Sequence, residues 1–330
     1  MSGGATHAAL VTGASGFLGR RLVGELARRG RRVVALVRSP PASDELRGPR
    51  VERVRGDLFA LRPADVPRGA TLFHLAAARV QPRVDRDEML RVNRDGALHV
   101  ARVARDGGAS RLVYVATALV YGPSDGTPAD EGSDFTAWGR RHPYVASRIL
   151  ALEALGEEMR GDLEVATVFP TLVYGPDHPS HPNAMAAQMR RLARGRLGWR
   201  VAGWSARRDL VHVDDVVAGM LGAEERAPAG SGLILGGEDL SPEQFRRRVL
   251  AALARRMPLL PLPAALVRAA ARIADRLLLP RRALGSAARL RMLEQEWRFS
   301  SARAAALIGY RPRTFDRGLR QTLAELGLAP

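Results

Sequence analysis

Up to Pro170, short apolar runs rich in β-branched residues alternate with stretches of helical periodicity, and this rhythm constrains the chain more than any other feature it has. The runs are HAALVTG from His7, RRVVALVR from Arg31, VERVRGD from Val51, TLFHLAA from Thr71, RLVYVAT from Arg111 and LEVATVFP from Leu163. Between them, 17–29, 88–106 and 144–160 carry apolar residues at helical spacing. Such alternation predicts a parallel sheet covered by helices on both faces, and near-continuous apolar runs such as VVALV fit strands buried on both sides.

Beyond Pro170 the pattern loosens. Pro and Gly punctuate YGPDHPSHPN, a basic helical stretch follows over 184–196, and DLVHVDD and GLILGG read as returning strands. From Ser241 onward the composition is almost wholly helical, dominated by Ala, Leu and Arg. The expected organisation is a dinucleotide-binding domain over 1–176, with 210–237 returning to it, and a smaller substrate-binding domain from 177–209 and 238–330. With no internal repeat or low-complexity linker, the two parts are expected to share one body, which 330 residues suffice to fill.

Composition excludes several chemistries. Without cysteine there is no disulfide framework, thiolate zinc site or cysteine nucleophile. The opening MSGGATHAALVTG lacks a basic segment followed by a long apolar run, and no stretch approaches the ~20 apolar residues needed to cross a bilayer, so a cytoplasmic enzyme is expected. The formal charge of +17 invites a nucleic-acid reading. However, all 51 basic residues are arginines scattered over every predicted helix, and aromatics are only 5% of the chain, so the charge reads as general anion attraction. His74, His142 and His212 have no metal-ligand spacing, and no metal is expected.

The first strand runs straight into TGASGFLGRRLVGEL, with Gly13, Gly16 and Gly19 spaced to open a helix. Glycines let the backbone turn sharply and approach a pyrophosphate, whose charge the helix's free amides and positive end would hold. A Rossmann-type doubly wound fold with a smaller, mostly helical substrate domain follows as the expected class. The end of the second strand selects the coenzyme: an acid there would bind the ribose 2′-hydroxyl, but this chain has Arg38, which suits a 2′-phosphate and favours NADP(H) over NAD(H). Asp57 and Leu58 fall where the adenine edge should lie, and Ala76 and Ala77 end the fourth strand in small residues, as close coenzyme approach requires.

TGASGFLGR, GDL, HLAA, VNRDG around Asn93, VYVATALVYG, YVASR, VFPTLVYGP, DLVHVDDVVAG and IGYRPRTFDRGLRQTL occur in an order that resembles the extended short-chain dehydrogenase/reductases of the epimerase/dehydratase family, over nearly the whole chain. The resemblance implies that Thr117 hydrogen-bonds the substrate oxygen and that Tyr144 gives or takes the proton while hydride moves at a nicotinamide. It implies coenzyme contacts at Gly13, Ser15, Gly16, Phe17, Leu18, Gly19, Arg38, Asp57, Leu58, Ala76, Ala77, Tyr144, Arg148, Pro170 and Val173, and a homodimer paired through helices that include the Tyr144 helix.

One position departs from the family. Arg148 stands where the family has lysine, four residues after Tyr144 and so on the same helical face. A free phenol ionises near ~10 and is a poor base at neutral pH. A cation about 4 Å away contributes roughly 4 kcal/mol at an effective dielectric of ~20, enough to bring a phenol into a useful range. Arginine supplies that charge and can donate to ribose hydroxyls, but it is bulkier, planar and never deprotonated, so a functional, slowed site is expected.

Asn93 reads equally well as a family residue or as a helix-interior hydrogen bond to a neighbouring loop, and Asp214–Asp215 read as an N-terminal cap. Tyr121 and Arg208 are the candidate substrate contacts, Arg208 because sugar-nucleotide members of the family bind phosphates with arginines in the second domain. The C-terminal half is similar instead to the dihydroflavonol-reductase, hydroxysteroid-dehydrogenase and hopanoid-associated branches, carried by LILGGEDLSPEQF and LPLPAALVRAAARIADRL. That second stretch could cap an apolar substrate, touch a membrane surface peripherally or be plain core. The leading expectation is an NADP(H)-dependent reductase or dehydrogenase of a ketone or secondary alcohol. Its rivals are a sugar-nucleotide epimerase or dehydratase with bound dinucleotide, and an NADP(H)-binding protein with impaired chemistry.

Overall fold

ALVT and VVALV offer no polar position to turn towards water, and every residue of both is buried in the computed structural model, the mark of strands covered on two faces. The structure describes residues 8–38, 44–78, 84–158, 163–178, 181–195, 198–201, 205–257, 259–276 and 287–328. Its strands are β1 (Ala9–Thr12), β2 (Val33–Val37), β3 (Val51–Arg55), β4 (Thr71–His74), β5 (Arg111–Val115), β6 (Glu164–Pro170), β7 (Leu172–Tyr174), β8 (Gly198–Val201), β9 (Arg208–His212), β10 (Gly232–Leu235), β11 (Glu238–Leu240) and β12 (Leu259–Leu262). Its helices are α1 (Phe17–Arg28), α2 (Arg86–Leu90), α3 (Gly96–Asp106), α4 (Ala137–Arg141), α5 (Pro143–Glu158), α6 (Ala184–Ala193), α7 (Val213–Arg226), α8 (Pro242–Ala252), α9 (Ala264–Arg276), α10 (Ala287–Glu294), α11 (Ala302–Ile308) and α12 (Phe315–Glu325).

The six expected strands all form and join β10 in one seven-stranded sheet of order β10-β6-β5-β4-β1-β2-β3, parallel throughout. This is the doubly wound Rossmann-like α/β arrangement, with one apolar core under α3 and α5 and a second under α1 and α7. Of the returning segment, α7 and β10 pack with the large sheet, whereas β9 pairs with β7 and β11 in a separate three-stranded sheet. A third core joins that small sheet to α6, α8 and α12.

Three local readings change. LLPL, in a region expected to be helical, is the strand β12 beside β8, as Pro261 within it and Pro258 and Pro263 on either side would favour over a helix. The helix expected over 88–106 is interrupted by a π turn, Arg91–Asp95, with Asn93 at its centre. The cap of α7 is His212, whose Nδ1 accepts the Asp214 amide at 3.2 Å; Asp214 and Asp215 instead occupy the first turn, where carboxylates favour the positive helix end. They also hold the C-terminal segment: Asp215 accepts Arg313 Nε at 2.9 Å, and Asp214 accepts Gln321 Nε2 at 2.7 Å.

Candidate active site

The turn after β1 has one shape that only glycines tolerate. Gly13 lies at φ +67°, and a Cβ on it would stand 2.7 Å from the Ala76 nitrogen and 2.9 Å from the Leu75 carbonyl carbon. A Cβ on Gly19 would stand 2.1 Å from the Gly13 oxygen, so α1 starts tight against the turn. Gly16 precedes α1 and offers no capping side chain, and no acid lies in the first turn. The leading amides and the positive helix end are therefore left for an anion. A dinucleotide's diphosphate fits this cradle: Gly13 and Ala76 leave the close approach, and Ser15, Gly16, Phe17 and Leu18 are half-buried around the helix start. Arg20, from the next turn, donates Nη2 to the Pro176 carbonyl at 2.8 Å and ties α1 to the segment after β7, which follows the buried Pro170 and half-buried Val173.

The adenosine end lies across β2 and β3. Arg38, exposed at the end of β2, has no ion pair among the described residues. Asp57 Oδ1 accepts the Phe59 and Ala60 amides, both at 3.0 Å, capping a short 3-10 turn, while the Leu58 side chain is buried in the core against Gly96. Asp57's second oxygen and the Leu58 backbone remain for a base edge.

The reactive end lies where β5 stops and α5 starts. Pro143 opens α5, where its missing amide hydrogen is no loss, and this puts Tyr144, half-buried, in the first turn. Thr117 caps the 3-10 turn Ala118–Tyr121, accepting the Leu119 amide at 3.4 Å, and its own hydroxyl proton stays available to donate. Asn93, fully buried, wires the two sides together. Its Oδ1 accepts the Ala78 amide at 2.7 Å, and its Nδ2 donates to the Ala78 carbonyl at 3.0 Å and to Ser147 Oγ at 2.8 Å. Ser147 Oγ in turn donates to the Tyr144 carbonyl at 2.7 Å. The loop-bonding reading of Asn93 is thus what the structure shows, and Ser147, inside YVASR, is a link that sequence reasoning missed.

Arg148 is 2% exposed, the largest fully buried side chain among the described residues. It donates Nη2 to the Val115 carbonyl and lies 4.9 Å over the Tyr114 ring. His74 stacks on that ring at 5.6 Å, and its Nδ1 shares a 2.7 Å hydrogen bond with Thr12 Oγ1. Burial first, and the Arg148 charge second, push the His74 imidazole down to about 3, so it is neutral at physiological pH. The Tyr114 phenol is pushed up, because burial outweighs the pull of Arg148.

Two expected substrate residues are committed elsewhere. Tyr121 is 5% exposed, with its ring against Phe169 at 5.2 Å and Phe135 at 5.8 Å. Arg208 gives Nη2 to the Leu293 carbonyl at 2.7 Å, and burial lowers its basicity.

Comparison with known proteins agrees with this geometry. The sequence profile of a family described as the NAD dependent epimerase/dehydratase family matches residues 9–234. A dTDP-4-dehydro-6-deoxy-D-allose reductase of Streptomyces bikiniensis is 31% identical over 267 residues, 74% of this chain and 81% of the relative. A 4-hydroxy-2-methyl-3-oxo-4-farnesyl-3,4-dihydroquinoline-1-oxide ketoreductase of Stigmatella aurantiaca is 30% identical over 245 residues, 72% of this chain and 69% of the relative. Among solved structures, MoeE5 in complex with UDP-glucuronic acid and NAD superposes with a TM-score of 0.74 at 27% identity, covering 97% of this chain and 98% of that one.

Proposed function

The chain belongs to the NAD-dependent epimerase/dehydratase family, enzymes of the NAD(P)-dependent oxidoreductase type, and from that premise we propose that it is an NADP(H)-dependent reductase or dehydrogenase acting on a ketone or secondary alcohol of an apolar or modified-sugar metabolite. One arrangement carries the reading: a phenol in the first turn of α5 and a threonine at the end of β5 share the carboxyl edge of the sheet with a glycine cradle. When bound, the coenzyme supplies or accepts the hydride. Thr117 and Tyr144 orient the carbonyl oxygen, and Tyr144 delivers the proton to that oxygen in reduction and removes it in oxidation. Arg148, on the same helix, keeps a buried positive charge against the Tyr114 ring at the end of β5.

Arg38, exposed and unpaired among the described residues, supports NADP(H): a guanidinium free to fork onto a 2′-phosphate gains more from it than from a neutral hydroxyl. Arg208 supports a substrate without a nucleotide diphosphate, since the Leu293 carbonyl already holds its guanidinium. A sugar-nucleotide epimerase or dehydratase is the second reading, favoured by the likeness to MoeE5 with its UDP-sugar and NAD. A cytoplasmic homodimer paired through α5 completes the proposal. Among the described residues no helix is long and apolar enough to cross a membrane, and α9 exposes Leu266 and Ile273 beside Arg272 on a face suited to peripheral contact.

The experiment follows reduced-nicotinamide absorbance with a panel of ketones, together with mass spectrometry of what co-purifies. Net consumption of NADPH, lowered more than about tenfold by Tyr144→Phe with an unchanged melting temperature, is the expected result. A dinucleotide that stays bound through purification with no net oxidation would select the epimerase reading. NADP(H) binding with no turnover, unaltered in Arg148→Lys, would mean that the chemistry is lost.

A further inference from the structure

Helix α9 turns its apolar stripe outward. Leu266 and Ile273, seven residues and two turns apart, share one face, and they are 62% and 55% exposed, whereas the other exposed large apolar side chains among the described residues stand at 37–38%. An amphipathic helix of a globular protein normally buries such a stripe. Here none of the described residues of α9 is buried, and none belongs to any of the three apolar cores. The helix packs on α10, where Glu294 pairs with Arg268 at 2.7 Å.

Positive charge adjoins the stripe. Arg268 and Arg272, four residues apart and both exposed, line the neighbouring face of α9. From Arg246 to Arg276 the sequence has eight arginines and a single acid, Asp275, and the exposed Arg255, Arg256 and Arg272 have no ion pair among the described residues. Whatever covers this face must accept two protruding aliphatic side chains and offer anions beside them. A second copy of the chain does neither. A 13-residue helix is about 20 Å long and about 10 Å wide, so its face offers ~200 Å², about a quarter of the ~800 Å² that each partner of a standard interface buries. Two copies would also set arginine against arginine. A bilayer surface with anionic phospholipid does both: its acyl boundary takes single aliphatic side chains, and its phosphates suit the planar fork of a guanidinium whose stem lies along apolar surface.

We infer that α9 is an interfacial anchor: it lies in the surface of an anionic phospholipid membrane, with Leu266 and Ile273 in the acyl boundary and Arg268 and Arg272 at the level of the phosphates. The inference gives the proposed peripheral contact its partner and rests on that reading, not on the coenzyme chemistry.

A chain of formal charge +17 adheres to anionic surfaces in general, so the test separates insertion from adhesion. The sequence has no cysteine, so Leu266→Cys supplies a single thiol for an environment-sensitive fluorophore, and Leu307→Cys, on α11 at 37% exposure, is the control. On vesicles of phosphatidylcholine and phosphatidylglycerol in equal parts, emission from position 266 should shift to the blue and emission from position 307 should not. Vesicles of phosphatidylcholine alone should shift neither. Co-sedimentation with the mixed vesicles should weaken more than about tenfold in the double variant Leu266→Ser, Ile273→Ser, which leaves the charge unchanged, and about fivefold in Arg272→Gln. Melting temperatures should stay within about 2 °C of wild type, because these side chains lie outside the cores.

No binding to the mixed vesicles, equal shifts from positions 266 and 307, or unchanged binding by the double variant would each overturn the inference. So would a dimer in sedimentation velocity that the double variant abolishes, since that result gives the face to a second copy. Oxidation of NADPH with a water-soluble ketone is read separately: its failure would sink the reductase reading, and the vesicle measurements would still decide this one.

Discussion

Replacing Asn93 by alanine tests whether the cleft is wired as the hydrogen bonds indicate. Asn93 is fully buried and makes three bonds of 2.7, 2.8 and 3.0 Å, two to the Ala78 backbone and one to Ser147. Alanine leaves the Ala78 amide and carbonyl and the Ser147 oxygen without that partner. Each buried polar group so orphaned costs about 1–3 kcal/mol; Ala78 is half-buried and water can reach it, and Ser147 keeps its bond to Tyr144, so the low end applies and the total is about 3 kcal/mol. For a chain of this size that is roughly 4 °C in melting temperature. Function should suffer as well, because the loop that carries Ala76 against Gly13 and the helix that carries Tyr144 are no longer registered to each other. The KM for NADPH should rise and kcat fall, each about threefold to tenfold, since an ångström of misplacement at a reacting centre carries penalties of this order or more. Thermal denaturation and initial rates measure both. An Asn93→Ala protein that melts within about 2 °C of wild type would refute the reasoning, because no buried network of this kind can be lost without a trace.

Gly13→Ala should weaken NADPH binding more than about tenfold and lower stability by more than the ~1–2 kcal/mol of a left-handed alanine, as its Cβ meets backbone at 2.7 Å; Gly30→Ala, at φ +81° with nothing within 4 Å, is the control, losing the conformational term alone and binding NADPH normally. Asp209→Asn concerns pH. Burial pushes the Asp209 carboxyl up to about 7, although Thr171 Oγ1 at 2.8 Å and the Gly237 amide at 2.7 Å bond its Oδ1. A folded value raised above the unfolded ~3.9 means that the folded state holds the proton more tightly, so this group's contribution is full below about 4 and is lost as pH rises through about 7, at most about 4 kcal/mol. The asparagine variant should therefore lose less stability than wild type between pH 5 and pH 8 in denaturant titrations; parallel curves would show that Asp209 does not titrate in this window.

Most of the sheet was legible because burial on both faces leaves a signature that few other structures share: six apolar runs predicted six strands of the large sheet, and GLIL supplied the seventh as a returning strand. The glycine cradle was legible for a similar reason, since a Cβ on Gly13 would stand within 3 Å of the Ala76 backbone, which leaves room for nothing larger than hydrogen. What stayed hidden depends on partners distant in the chain. LLPL is a strand only because Gly198–Val201 lies beside it, a pairing no local pattern encodes. The cap of α7 went to His212 instead of the following acids because Arg313 and Gln321, about a hundred residues later, claim their carboxylates. Tyr121 and Arg208 were read as substrate contacts from their places in motifs, but motif position does not reveal that Phe169 or the Leu293 carbonyl would reach them first.

The pieces beneath the cleft converge on one turn of helix. Ser147 binds the Tyr144 carbonyl and is itself held by Asn93, which grips the loop after β4; Arg148, the next residue, is clamped by the Val115 carbonyl and the Tyr114 ring at the end of β5. The start of α5 is therefore pinned to the π turn and to the end of β5 from two adjacent positions, and Tyr144 cannot shift without breaking a buried polar contact on one side or the other. A helix start has few internal hydrogen bonds of its own and frays readily. Placing the reactive phenol there keeps it at the cleft, and the two clamps supply the rigidity that the helix end lacks. The buried guanidinium, without an ion pair among the described residues, thus fits a site that spends stability on position, as active sites commonly do.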